Sequence, residues 1–225
     1  MFFKSLMFQD SNSLNMLKLT FYHDKALVVL VSISLLVAGG LLLFSLNKYF
    51  NVEYMEYQWL EFLWTVLPAF ILLAMAFPSM KALYYLDEIM KSVFSVKVIA
   101  HQWYWSYEYP FITKNSTYDS FMKQTNDLDK GEFRLLDTTT NMLLFNKVMT
   151  QVMVTSSDVL HSWTVPVLGI KMDAMPGRIS QAACFPLYSG VFYGQCSEIC
   201  GVNHSFMPIK VEVLSNSELM SFKDL

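Results

Sequence analysis

Charge is scarce in this chain. Of its 225 residues only 16% are Asp, Glu, Lys or Arg, while 54% are hydrophobic, and the mean hydropathy is +0.34. A soluble domain carries roughly a quarter charged residues, so part of this chain belongs in a membrane. Sixteen basic against 19 acidic residues leave a formal charge of −3 and no basic stripe, which excludes a nucleic-acid binder. Glycine is also rare. The eight glycines form neither G-x-G-x-x-G nor G-x-x-x-x-G-K, so the common phosphate-cradling loops are absent. Three cysteines make no disulfide framework, and without C-x-x-C-H no covalently attached c-type haem is expected. The first 24 residues contain no arginine and include Asp10, unlike the Arg-rich address of an imported mitochondrial precursor.

Long uncharged runs are what the chain has instead. Residues 26–47 carry no charge between Lys25 and Lys48, and residues 62–80 carry none between Glu61 and Lys81. About 20 apolar residues at 1.5 Å rise cross a ~30 Å hydrocarbon core, so each run predicts a membrane span. Pro68 and Pro78 interrupt the second run, which a membrane helix tolerates when neighbours satisfy the freed carbonyls. Gly39, Gly40, Ser32 and Ser34 are small positions where another helix can approach the first span. Trp59, Trp64, Tyr84 and Tyr85 suit headgroup belts. Two spans and a short loop form a helical hairpin, so both termini share one side. Lys4, Lys18 and Lys25 before the first span outnumber Lys48 in the loop, and a positive-inside count puts both termini on the charge-retaining side.

Beyond about Lys91 the periodicity changes to two. Val96, Val98 and Ala100 form one alternating set, Val148, Thr150, Val152 and Val154 a second, and Ile209, Val211 and Val213 a third. Seven or eight such short segments predict a sandwich or small Greek-key barrel. The expected organisation is residues 1–90 as an N-terminal segment with a transmembrane helical hairpin, and residues 91–225 as an all-β domain.

The chemistry gathers in residues 194–208, where Cys196, Cys200, His204 and Met207 follow the spacing C-x₃-C-x₃-H-x₂-M. His161 lies 35 residues upstream of Cys196, where a neighbouring strand end can bring it to the same point. A Cys196–Cys200 disulfide leaves His204 and Met207 without a role. Zinc in a Cys₂His₂ site leaves Met207 unexplained. Thiolate, imidazole and a weak thioether are a copper electron-transfer set, but a mononuclear blue-copper site needs one Cys. Two thiolates bridging two copper ions, each completed by a histidine, use all of these residues.

The ligand loop, together with residues 158–163 (Asp-Val-Leu-His-Ser-Trp), 171–178 and 101–109 (His-Gln-Trp-Tyr-Trp-Ser-Tyr-Glu-Tyr), resembles the cytochrome c oxidase subunit II family. The resemblance runs from the first span to about Val213. It implies a cupredoxin-like Greek-key barrel carrying a dinuclear copper centre, with Cys196 and Cys200 as bridges and His161 and His204 as terminal ligands. Met207 and the carbonyl of Glu198 are the implied weak axial ligands, and the Glu198 carboxylate the implied ligand of a magnesium ion shared with the catalytic subunit. It further implies electron uptake from cytochrome c through Trp103, delivery to haem in a partner subunit that reduces oxygen, and Glu61 at the mouth of a proton path. The implied setting is the mitochondrial inner membrane with the barrel in the intermembrane space, against the lysine count.

Each of these residues also has a plainer reading. The aromatics of 103–109 suit strand packing, and Glu61 suits a helix end at the interface. Cys184 reads as a small buried hydrophobe, His101 as a structural strand residue and His23 as a polar residue beside the first span. Residues 137–147 match the family poorly, and Ser156 and Ser157 stand where many relatives carry another acid. A docking face for cytochrome c would then rest on Glu108, Asp137 and Asp158. The competing function is a membrane-tethered copper carrier, which wants exposed, exchangeable ligands and gives no role to Trp103 or Glu61.

Overall fold

The computed structural model describes residues 7–49, 51–53, 55–88, 91–110 and 117–215. Lys4 and the last ten residues of the chain lie outside them. Two units are distinguished, one formed by Leu19–Tyr85 and the other by the preceding segment together with the chain from Leu86 onward.

Two helices dominate the first unit, α1 (Leu14–Leu46) and α2 (Gln58–Asp87). At 1.5 Å per residue the 33 residues of α1 extend about 50 Å and the 30 of α2 about 45 Å, more than the ~30 Å core requires. Both therefore continue as helix past the uncharged runs. The apolar side chains along them face outward, from Leu35 and Leu36 on α1 to Phe70 and Leu72 on α2. That is the pattern of a chain solvated by lipid: a membrane protein with two transmembrane helices.

The second unit is all-β. Its strands are β1 (Phe94–His101), β2 (Tyr104–Glu108), β3 (Thr117–Ser120), β4 (Met142–Phe145), β5 (Thr150–Ser156), β6 (His161–Val165), β7 (Ile170–Ala174), β8 (Ser180–Cys184), β9 (Gly190–Gln195) and β10 (Pro208–Leu214). The described residues thus hold ten strands rather than seven or eight, because four-residue strands such as β3 and β4 are too short to show a period. One sheet runs β3-β2-β1-β5-β8, a second β4-β10-β9, and β6 pairs with β7. Parallel pairing of β1 with β5 and of β10 with β4 gives the mixed connectivity of a cupredoxin-like barrel.

Alternation sets the core. Val96, Val98 and Ala100 of β1, Val152 and Val154 of β5, and Ile209, Val211 and Val213 of β10 are buried around Trp105, Tyr107, Trp163 and Leu168. Each such aliphatic side chain contributes about 1.5–3 kcal/mol relative to exposure. Val148 departs from the expected pattern. It sits in a turn, with its N–H bonded to the Phe145 carbonyl and Lys147 at φ 57°, and β5 starts two residues later. Cys184 is buried, and burial pushes its thiol up to about 12.

The segment before α1 is built into the barrel. The Asn12 backbone N–H donates to Val167, its Nδ2 donates to the Tyr188 carbonyl at 2.9 Å, and its Oδ1 accepts from Tyr188 N at 2.7 Å and Leu187 N at 3.2 Å. Ser13 Oγ donates to the Leu168 carbonyl at 2.6 Å, and Met16 is buried beside Gly169. Gly169 has φ +66°, and a Cβ there would lie 2.9 Å from Met16 N, so only glycine fits. These contacts put the N-terminal segment and the barrel on one side, as a two-span hairpin demands.

Candidate metal centre

Two hydrogen-bonded strands define the ends of the ligand loop. Gln195, the last residue of β9, lies opposite Pro208, the first of β10, so the loop leaves and returns at neighbouring points. Ser197 N donates to the Ser162 carbonyl at 3.0 Å, which ties the loop to β6. At Gly194 β9 presses on β6 so closely that a Cβ would fall 1.9 Å from the Thr164 carbonyl oxygen. His161 opens β6 and so reaches the loop from the neighbouring strand.

The side chains converge. Cys196 Sγ and Cys200 Sγ lie 3.9 Å apart and are free thiols, which excludes the disulfide reading. His161 Nδ1 is 3.9 Å from Cys196 Sγ, and the Glu198 carbonyl oxygen is 3.4 Å from it. His204 Nδ1 and Met207 Sδ each lie 3.5 Å from Cys200 Sγ. Each sulfur therefore has one imidazole nitrogen and one weak donor beside it. The donor atoms of His161, Cys196 and Cys200 all fall within 4.8 Å of one another, and all three residues are buried. His204 is half-buried at the outer side.

Six donors of this kind, two thiols, two imidazoles, a thioether and a carbonyl, suit a soft or borderline metal and not magnesium or calcium. One tetrahedral ion would use four of them. A pair of ions sharing the two sulfurs uses all six, so the residues fit a dinuclear copper centre.

The electrostatics prepare the thiols for a metal. Burial raises the Cys196 thiol, but hydrogen bonds from His161, Ser162 N and the Glu198 region outweigh it and bring it down to about 7. Burial and the adjacent Cys196 push Cys200 up to about 12. The pair thus gives up its first proton easily and its second only when a cation replaces it. Burial lowers the His161 imidazole, yet its hydrogen bonds to Cys196 and Asp158 carry it above its usual range.

Other candidate residues sit elsewhere. Trp103 is half-buried against the loop, with Nε1 donating to the Cys200 carbonyl at 3.3 Å, and the Gln102–Trp103 peptide is cis. Gly201, at φ +123°, has no room for a Cβ without reaching 3.2 Å from the Trp103 ring. Glu198 is exposed, as is Glu61 in the first turn of α2. Glu108 is half-buried and pairs with Lys97 at 2.8 Å. Asp137 must be corrected as a docking acid, because it is 1% exposed. Lys210 Nζ, Phe133 N and Tyr193 Oη surround it at 2.5, 2.5 and 3.3 Å. Asp158 keeps some exposure, but its oxygens face His161 and Gln102. His101 stacks on Tyr104 at 4.5 Å, and His23 lies 3.3 Å from Asp24.

Sequence reasoning missed two supports of the loop. Gln102 Nε2 donates to the Cys200 carbonyl at 2.8 Å. Trp105 Nε1 donates to the Met207 carbonyl at 3.2 Å, with its ring 6.1 Å from that of His161. Trp105 stands in the aromatic run and Gln102 just before it, but alternation alone does not say which side chains face a loop about a hundred residues away.

Residues 94–214 match the family described as "Cytochrome C oxidase subunit II, periplasmic domain", and residues 3–82 its "transmembrane domain". Cytochrome c oxidase subunit 2 of Aedes aegypti is 48% identical over 204 residues, 91% of this chain and 89% of that one. The protein of the same name from Apis mellifera ligustica is 47% identical over 209 residues, 93% and 92% of the two chains. Among solved structures, the periplasmic domain of subunit II of the Bradyrhizobium japonicum cytochrome oxidase is similar, with 39% identity and a TM-score of 0.55. That likeness covers 61% of this chain and 95% of that domain.

Proposed function

The chain belongs to the cytochrome c oxidase subunit II family, and from that membership we propose that residues 196–207 and His161 hold the dinuclear copper centre of the oxidase's electron-receiving subunit. One observation carries the reading: two free thiols 3.9 Å apart, each flanked by an imidazole nitrogen and a weak donor. Cys196, Cys200, His161, His204, Met207 and the Glu198 carbonyl would together hold the two copper ions, the two thiolates shared between them. Bound there, the copper pair supplies one-electron redox chemistry between cytochrome c and haem in the catalytic subunit, where oxygen is reduced.

The chain's own residues do the positioning. The β9–β10 pairing and the Ser197–Ser162 hydrogen bond fix the loop before metal arrives, so few atoms need move when charge changes. Burial of both cysteines excludes water and opposes a carrier, which must exchange its cargo. Trp103 is the point of electron uptake: its ring hydrogen-bonds the backbone of the Cys200 bridge. The Glu198 side chain is a separate donor from its carbonyl, so it is free to hold magnesium jointly with the catalytic subunit. Of the three docking acids, Glu108 remains the one offered to a basic cytochrome c, since the Asp158 oxygens are turned to His161 and Gln102, and Glu61 stands at the mouth of a proton path. The location is the mitochondrial inner membrane, with the barrel in the intermembrane space; protease added to mitoplasts should clip it, and protection there refutes the assignment.

The test of the centre is metal analysis with paramagnetic resonance on the assembled oxidase. The wild type should hold two coppers in this chain with a mixed-valence signal. Cys200→Ser should hold one or none, because a hydroxyl is a harder and far less acidic donor than a thiol. Met207→Leu should keep two coppers with a shifted potential. Two coppers and an intact mixed-valence signal in Cys200→Ser refute the bridged site.

A further inference from the structure

We propose that Asp158 is a positioning residue that joins the Trp103 loop to the copper ligand His161 and holds the copper potential down. The inference rests on the dinuclear reading of the centre. It goes beyond the docking role expected of Asp158, because the carboxylate is engaged inward.

Both oxygens of Asp158 are committed. Oδ1 faces His161 Nε2 at 2.9 Å and accepts from Val159 N at 2.6 Å, while the one hydroxyl proton of Ser156, whose oxygen lies 3.2 Å from Oδ1, goes to the Val159 carbonyl at 2.5 Å. Oδ2 accepts from Gln102 N at 2.6 Å. His161 is fully buried and presents its other nitrogen, Nδ1, to the sulfur of Cys196. With Nδ1 turned to the metal, the ring proton sits on Nε2 and must be donated, and Asp158 receives it. Gln102, held by the other oxygen, precedes Trp103 and also donates from Nε2 to the Cys200 carbonyl at 2.8 Å. A single carboxylate therefore touches the residue beside the electron-receiving ring and a terminal ligand of the centre.

The chemistry follows from counting acceptors. His161 Nε2–H and Gln102 N–H are both donors, and a carboxylate offers one oxygen to each. An amide has one acceptor oxygen and an NH₂ group, so asparagine can satisfy only one of the two. An anionic acceptor also raises the electron-donating power of the imidazole, which favours the oxidised copper pair. Removing that anion should move the equilibrium toward the reduced pair. Glutamate keeps the anion and both acceptor oxygens, so a carboxylate at this position should restore most of what asparagine loses.

Asp158→Asn and Asp158→Glu in the assembled oxidase test this, read by copper content, the potential of the copper centre and amide hydrogen exchange at Gln102. Asp158→Asn should keep two coppers while its reduction equilibrium shifts about tenfold toward the reduced state, ~59 mV for one electron. Its Gln102 amide should exchange faster. Asp158→Glu should keep the potential nearer the wild-type value, a rescue that loosened packing would not produce. A docking acid would instead change the salt dependence of the reaction with cytochrome c and leave the potential alone. An unchanged potential or unchanged Gln102 exchange in Asp158→Asn, or an equal potential shift in Asp158→Glu, overturns the proposal. If Asp158→Asn fails to assemble, the wild type decides: a Gln102 amide that exchanges as fast as an exposed one is not held by Oδ2, and that overturns the proposal. A wild type without a two-copper mixed-valence signal refutes the dinuclear reading itself, a distinct outcome.

Discussion

Replacing Lys210 by methionine should cost the barrel about 3 kcal/mol. Lys210 lies on β10 with its ammonium 2.5 Å from Asp137, whose side chain is wholly out of solvent. Removing one partner of a buried pair leaves an uncompensated charge, typically 3–5 kcal/mol. The Phe133 N–H and the Tyr193 hydroxyl still reach Asp137, which places the expected cost at the lower end. For a unit of this size that corresponds to a fall of roughly 10 °C in Tm. Burial raises the Asp137 carboxyl, but Lys210 and Phe133 outweigh it and hold it below its usual range in the native protein. A carboxyl lowered on folding stabilises above its unfolded pKa of about 4, and that contribution is lost as pH falls through the native value. In Lys210→Met the carboxyl loses its cation and rises, so protonation relieves the penalty. The gap between wild type and variant should be full at pH 7 and narrow below about pH 4. Thermal unfolding of the copper-free chain in detergent micelles, followed by near-ultraviolet circular dichroism, measures it. Asp137→Asn added to Lys210→Met should recover most of the loss. A single variant melting within about 2 °C of wild type at pH 7, or a double variant no better than the single, refutes the reasoning.

Gly194→Ala should break the junction of β9 with β6, because its methyl would fall 1.9 Å from the Thr164 carbonyl oxygen; the cost should exceed about 4 kcal/mol, and copper content tests whether the adjoining loop fails with it. Trp103→Ala should slow electron uptake from cytochrome c by at least tenfold in stopped-flow assays and leave the copper spectrum nearly unchanged; a collapse of cytochrome affinity instead would make the ring a docking anchor. Glu61→Gln should slow turnover severalfold without altering the copper signal, and normal turnover would return Glu61 to a plain helix end.

What the sequence discloses about this site follows from separation along the chain. Cys196, Cys200, His204 and Met207 share one loop, so their spacing alone gathers them, and the two free thiols remove the disulfide reading. The membrane helices are equally open to reading, since lipid solvation demands uncharged runs of fixed length. Acids are another matter. Asp137 and Asp158 look like surface charges in a linear reading, and nothing local shows that Lys210, 73 positions on, neutralises one. Nor does anything local show that Gln102, 56 positions back, takes up the other. The threonine run 138–140 closes an edge by similar non-local bonds, with Ser120 Oγ donating to the Thr140 carbonyl at 2.7 Å and Thr140 Oγ1 donating to the Asp119 carbonyl. Alternation marks which side of a strand is apolar, but pairing across the barrel decides which polar group meets which.

Asn12 and Tyr188 are bonded across 176 positions, which gives the tail before α1 a place in time as well as in space. The tail is synthesised before the carbonyls and amides it binds, which run from Val167 to Tyr188. At roughly 5–20 residues per second the wait is about 10–35 s. Throughout that interval Asn12 and Ser13 have no barrel to bind, and the first span has already committed to a direction across the bilayer. A tail left on the wrong face cannot be recovered once the barrel has folded opposite it. The correct crossing of α1 is therefore a condition of completing the barrel: insertion error in the first span and incomplete closure near Leu168 and Leu187 are one defect observed at two moments of synthesis.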